Sequence, residues 1–105
     1  MATVVELTDS NFSETIKEGV TLVDFWAPWC APCMMQGPIV ERVAETVGDK
    51  AKVAKVNVDE AQRAAAELGI RAIPTVIVFK DGQPVQPFVG VTQESELISA
   101  IDKAQ

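Results

Sequence analysis

Apolar residues recur along this chain at two spacings, and the changes from one to the other divide it into short elements. A β-prone run, TVVEL (Thr3 to Leu7), precedes TDSNFSETIKEG, where Phe12 and Ile16 share a helical face, Thr8, Asp9 and Ser10 offer N-caps and Gly19 a stop. VTLVDFW (Val20 to Trp26) is almost continuously apolar, the pattern of a central strand covered on both faces. From Pro32 to about Val47 the residues Ile39, Val40, Val43, Ala44 and Val47 recur at helical spacing, and Gly48 follows. AKVAKVNV (Ala51 to Val58) reads as a third strand. DEAQRAAAELG then reads as a helix with Asp59 as cap, Gln62 at the reciprocal capping position and Gly69 as stop.

The last third changes character. TVIVFKDGQPVQPFV places Asp81-Gly82 between two β-prone runs, the signal of a tight hairpin. Pro84 and Pro87 confine the second run to a sheet edge, because proline has no N–H for the ladder. Beyond Gly90, Thr92 is placed to cap a final helix whose Leu97, Ile98 and Ile101 face inward. The order βαβαβα followed by ββα predicts an α/β fold, a mixed sheet with helices on both faces, in one domain spanning residues 1–105.

Composition narrows the function more than the fold. A chain of 105 residues with 48% hydrophobic content can fill one core without disulfides or metal, which leaves its two cysteines free for other work. Fifteen acidic against nine basic residues give a formal charge of −6, and no Lys/Arg cluster occurs, which argues against nucleic acid or anionic membranes as partners. Histidine and tyrosine are absent, which excludes Cys-His and Ser-His nucleophile arrangements and the usual His-containing zinc sets. No segment approaches the roughly 18 apolar residues of a membrane span, and the start MATVVELTDS has neither basic nor long apolar signal regions. The expectation is a soluble cytosolic protein, where a C-x-x-C pair is more often catalytic or metal-binding than a lasting staple.

Both cysteines lie in FWAPWCAPCMMQGP (Phe25 to Pro38). Cys30 follows a buried strand and Cys33 falls in the first turn of the next helix, at the carboxyl end of the sheet where ligands and chemistry gather in open α/β folds. A helix N-terminus favours thiolate over thiol through its dipole and unpaired N–H groups. Cys30 is therefore expected as the nucleophile, and Cys33 as the deeper thiol that attacks Cys30 once a mixed disulfide has formed. A purely structural staple would close a loop of only two residues and remove little unfolded-state entropy. Two thiolates without histidine cannot complete a tetrahedral metal shell in one chain, although a four-thiolate site between two chains stays open. Asp24, inside the most apolar strand, is expected to have a raised pKa suited to moving a proton, or else to be a buried structural acid.

FWAPWCAPC, KVNVDE, GIRAIPTVIVFKDG and the later VGV, taken together, resemble the thioredoxin family over essentially the whole chain. The resemblance implies a thioredoxin fold with a central five-stranded mixed sheet flanked by four helices. It implies dithiol-disulfide exchange on client proteins, a monomer, and recycling by a separate thioredoxin reductase, a flavoprotein using NADPH. The domain itself is expected to bind no cofactor, since it has no glycine-rich dinucleotide loop. By the same resemblance Lys55 partners Asp24 behind the cysteines, and Pro74 follows a cis bond that places it against Cys30 and leaves the Ile73 backbone free to pair with an extended client. Trp29, Ala31, Pro32, Ala72, Gly90 and Val91 complete a client-contact surface, with Trp26 packed beneath. Three features depart from the common pattern: Ala31 stands where glycine is usual, Met34 where lysine is frequent, and Gln36-Gly37 where the pair is more apolar. Two rival readings accompany the reductase: a binding or folding-helper module whose thiols are incidental, and a disulfide donor or isomerase.

Overall fold

The computed structural model describes residues 3–105. Its elements run β1 (Val5–Leu7), α1 (Phe12–Ile16), β2 (Val20–Trp26), α2 (Ala31–Val47), a 3-10 turn (Gly48–Lys50), β3 (Lys52–Asn57), α3 (Gln62–Glu67), β4 (Thr75–Lys80), β5 (Gln83–Val89) and α4 (Glu94–Ala104). The five strands form one sheet in the order β1-β3-β2-β4-β5. β1, β3 and β2 are mutually parallel, whereas β4 runs antiparallel to β2 and β5 antiparallel to β4. The mixed sheet expected from the order of elements is therefore present.

Side-chain alternation along β2 assigns its two faces. Val20 and Leu22 pack with Ile39, Val40 and Val43 of α2 and with Leu97 and Ile101 of α4. Val23 and Phe25 pack on the opposite face with Phe12 and Ile16 of α1 and Ala64 of α3. Continuous apolar sequence in β2 is thus explained by cover on both sides. Asp24 continues the Val20–Leu22 face, and Lys55 continues the Val53 face of β3, so both lie on the side covered by the cysteine helix α2.

The hairpin between β4 and β5 turns at Asp81 and Gly82, both with positive φ (50° and 86°), which explains the Asp-Gly pair. The Gly19 N–H donates to the Asp81 carboxylate at 2.7 Å, and the Asp81 N–H returns a bond to the Gly19 carbonyl at 2.9 Å. β5 is an exposed edge strand, as Pro84 and Pro87 require.

The capping assignments need correction. α1 has Asn11 at its N-cap, without a side-chain bond into the helix. Asp9 instead reaches across to α3, accepting from the Ala64 N–H at 2.8 Å and the Arg63 N–H at 3.3 Å. α3 is thereby capped from a distant part of the chain, and Asp59 is released from that role. Thr92 is not the cap of α4, whose N-cap is Gln93; it stands one residue ahead of that position, and its hydroxyl donates to the Gly90 carbonyl. α2 begins at Ala31, which makes Pro32 its second residue and Cys30 its N-cap.

Candidate active site

The parallel strands β2 and β3 end at the same edge of the sheet, and the loops leaving them build the site. Cys30, extended at φ −97° and ψ 107°, stops the chain leaving β2 and opens α2; its sulfur accepts the Cys33 N–H at 3.2 Å. The two cysteines are joined in a disulfide, with Cα atoms 5.2 Å apart. Both are buried, Cys33 (2% exposed) slightly more than Cys30 (5%), and they pack with Ala27, Trp26, Val58 and Ile73. Sequence position alone therefore places sulfur at the positive end of a helix of seventeen residues.

The peptide between Ile73 and Pro74 is cis, and the Ile73 carbonyl oxygen lies 3.7 Å from the Cys30 sulfur. The Thr75 hydroxyl donates to the Ala72 carbonyl at 2.6 Å, and the Gly90 N–H donates to the Pro74 carbonyl at 2.9 Å. These bonds bring three separate segments around one sulfur. Among the described residues the Ile73 N–H has no hydrogen-bond partner. Around it Trp29 (70% exposed), Ala31, Pro32, Ala72 and Val91 open to solvent, while Gly90 and Ile73 are half-buried and Pro74 is buried. Met34 and Met35, which follow Cys33 on α2, are exposed as well.

Asp24 is buried, at 3% exposure, and pairs in register with Lys55 across β2 and β3. Loss of hydration pushes its carboxyl up from an ordinary 3.8 to about 7, against the opposing pull of the Lys55 charge. The two do not form an ion pair; the ion pairs among the described residues are Lys17–Glu14 and Arg42–Glu94. The Lys55 ammonium instead lies 5.4 Å from the Trp26 ring centroid, a cation–π distance. Asp24 Oδ1 and Trp26 Nε1 are both buried without a hydrogen-bond partner. Buried polar atoms in this condition are uncommon, and two of them sit on the sheet face beneath α2.

The roles of two residues of this region escaped the sequence reading. Asp59, expected as a helix cap, accepts the Trp29 indole N–H at 2.8 Å and fixes that exposed ring over the loop that follows β3. The signal was available: residues just after two neighbouring parallel strands emerge side by side. Gln36 is fully buried on α2, one turn beyond Cys33, and binds the Thr92 backbone through both amide atoms. Its inward spacing with Val40 and Val43 marked it as a polar residue at a core position. Among the described residues no group of three or more His, Cys, Asp or Glu side chains is placed to hold a metal, and no helix is long and apolar enough to cross a membrane.

The thioredoxin family model, described as Thioredoxin, matches residues 3–103. The chain is 48% identical to a thioredoxin of Staphylococcus haemolyticus over 100 residues, covering 95% of this chain and 96% of the relative. The chain belongs to the thioredoxin family. It is also 44% identical to thioredoxin 1 of Synechococcus elongatus over 105 residues, covering 98% of each chain. The crystal structure of a Malassezia sympodialis thioredoxin superposes with a TM-score of 0.89 at 40% identity, covering 99% of this chain and 92% of that one. The thioredoxin fold, with its five-stranded sheet and four helices, is thus confirmed by both comparisons and coordinates. Together with the Cys30–Cys33 disulfide, family membership makes this thioredoxin-family protein a thiol-disulfide oxidoreductase that reduces protein disulfides by dithiol-disulfide exchange.

Proposed function

We propose that Cys30 is the attacking thiolate and Cys33 the resolving thiol of a cytoplasmic protein-disulfide reductase. The observation that carries this is the position of Cys30: its sulfur caps α2, accepts the Cys33 N–H and lies beside the Ile73 carbonyl, under a surface opened by Trp29. In the reduced protein the Cys30 thiolate attacks one sulfur of a client disulfide, forming a mixed disulfide and releasing one client thiolate. Cys33, having lost its proton, attacks the Cys30 sulfur; the mixed disulfide breaks, the Cys30–Cys33 disulfide forms, and the second client thiolate leaves and takes up a proton. Two electrons pass from the protein to the client. Asp24 serves as the group that accepts and returns the proton, a role suited to a buried carboxyl with a pKa of about 7. Lys55 tempers the cost of ionising it.

The client lies in extended form against Ile73, Pro74, Gly90 and Val91, pairing with the unbonded Ile73 N–H, with Trp29, Ala31 and Pro32 on the other side of the sulfur. A separate flavoprotein, a thioredoxin reductase, returns the dithiol to its reduced state with electrons from NADPH. The residues 1–105 act as a single thioredoxin domain and as a monomer, a reading supported by the family match over residues 3–103 and by Pro84 and Pro87 on the exposed edge β5, which blunt strand-to-strand association. A cytoplasmic setting suits a reductase, since that compartment keeps thiols reduced.

Cys33→Ser tests the assignment. The variant is expected to accumulate covalent mixed disulfides with client proteins that dithiothreitol releases, and to lose catalytic reduction. Full activity without trapped adducts would instead identify a binding module whose thiols are incidental.

A further inference from the structure

Gln36 is fully buried in the helix that bears both cysteines, and neither the thiol chemistry nor the packing of the core calls for an amide there. Its Oε1 accepts the Thr92 N–H at 2.7 Å and its Nε2 donates to the Thr92 carbonyl at 3.0 Å. The amide orientation is dictated, because exchanging O and N would set donor against donor and acceptor against acceptor. One side chain therefore clasps a whole peptide unit's worth of polar groups from a loop that is 56 residues away in sequence.

That loop is the one beside the reacting sulfur. The Thr92 hydroxyl donates to the Gly90 carbonyl at 3.0 Å, and the Gly90 N–H donates to the Pro74 carbonyl at 2.9 Å. Residues 90–92 are thus tied at one end to the cis-proline turn and at the other to the cysteine helix, with Val91 displayed between the two ties. We propose that Gln36 is a positioning residue that buckles the Val91 loop to α2 and so sets the affinity for client proteins, without touching the client or the sulfurs. The proposal rests on the reading of Ile73, Gly90 and Val91 as the client-contact surface. A leucine of similar volume at this position would fill the space and leave the loop with one tie, so that its ordering is deferred until a client binds.

The test uses the prereduced protein in single turnover, which needs no reductase. Rates are measured against insulin, a protein disulfide, at increasing concentration, and against 5,5′-dithiobis(2-nitrobenzoate), a small disulfide that reports thiolate chemistry alone. For Gln36→Leu the half-saturating insulin concentration is expected to rise roughly fivefold, equivalent to about 1 kcal/mol, with the limiting rate and the small-disulfide rate within about twofold of the parent. Gln36→Met, which likewise fills the space and makes neither bond, is expected to match the leucine variant and provides the same reading if that variant does not fold. Unchanged insulin saturation in the folded variants would reduce Gln36 to packing, and equal slowing of both disulfides would mean that it acts through the cysteines; either result overturns the proposal. Val91→Asp separates the two levels of the argument. If it weakens insulin saturation while Gln36→Leu does not, the buckle alone fails, and if neither weakens it, the contact surface itself is wrongly placed.

Discussion

Asp24 and Gln36 are polar side chains buried on the same side of the sheet, and the fold treats them in opposite ways. Gln36 has each amide atom matched to a backbone partner, so its burial costs little and its neighbours are fixed. Asp24 has an orphaned oxygen and a lysine that influences it without pairing, so its burial stays expensive whenever it ionises. The contrast separates two uses of buried polarity. A satisfied group holds geometry, whereas an unsatisfied titratable group keeps a proton available near neutral pH.

The largest expected effect that would break this comparison concerns Asp24. Its folded pKa of about 7 exceeds the ordinary 3.8, so between these values the native state holds a proton that the unfolded chain has released. Stability therefore falls as pH rises from about 4 to 7 and stays at the lower level above that window, by roughly 4 kcal/mol in full. Asp24→Asn is expected to flatten this pH dependence in urea-unfolding curves and to be the more stable protein at pH 8. An unaltered slope would show that the carboxylate has a full partner after all.

Gln36→Leu should do the reverse. Leaving the Thr92 N–H and carbonyl without partners is expected to destabilise the fold by roughly 2 kcal/mol, equally at pH 5 and pH 8, since no proton is involved. A loss that grew with pH would erase the distinction between the two residues. A smaller effect is expected outside the core. Asp59→Ala removes the exposed bond to the Trp29 indole at a cost of about 1 kcal/mol or less, and should appear mainly as lower fluorescence anisotropy of that ring. The smallest concerns Met34, which is exposed in the first turn of α2. Met34→Lys places a cation near the helix N-terminus and is expected to move the alkylation profile of Cys30 to lower pH; an identical profile would mean that the charge is screened.

How much of this was legible in the sequence depended on distance along the chain. The disulfide, the Asp-Gly hairpin, the proline-blunted edge and the doubly covered β2 each follow from residues a few positions apart, and all stand as read. The caps were misassigned because the winning partners are remote: Asp9 serves α3, more than fifty residues on, and Asp59 serves Trp29, thirty residues back. Local capping rules see only neighbouring side chains, whereas a carboxylate bonds whichever N–H the tertiary fold brings within reach. Asp24 was expected as a buried acid with Lys55 as its partner; it is buried and in register with Lys55, whose charge acts on it without a salt bridge while the ammonium lies over the Trp26 ring.

The most direct test of the central claim is the equilibrium reduction potential of the Cys30–Cys33 pair, measured by incubating the protein in graded thiol-disulfide buffers and trapping free thiols. A value more reducing than the cytosolic glutathione pool is expected, as a protein-disulfide reductase requires. A value more oxidising than that pool would contradict the claim and assign the site to donating or shuffling disulfides.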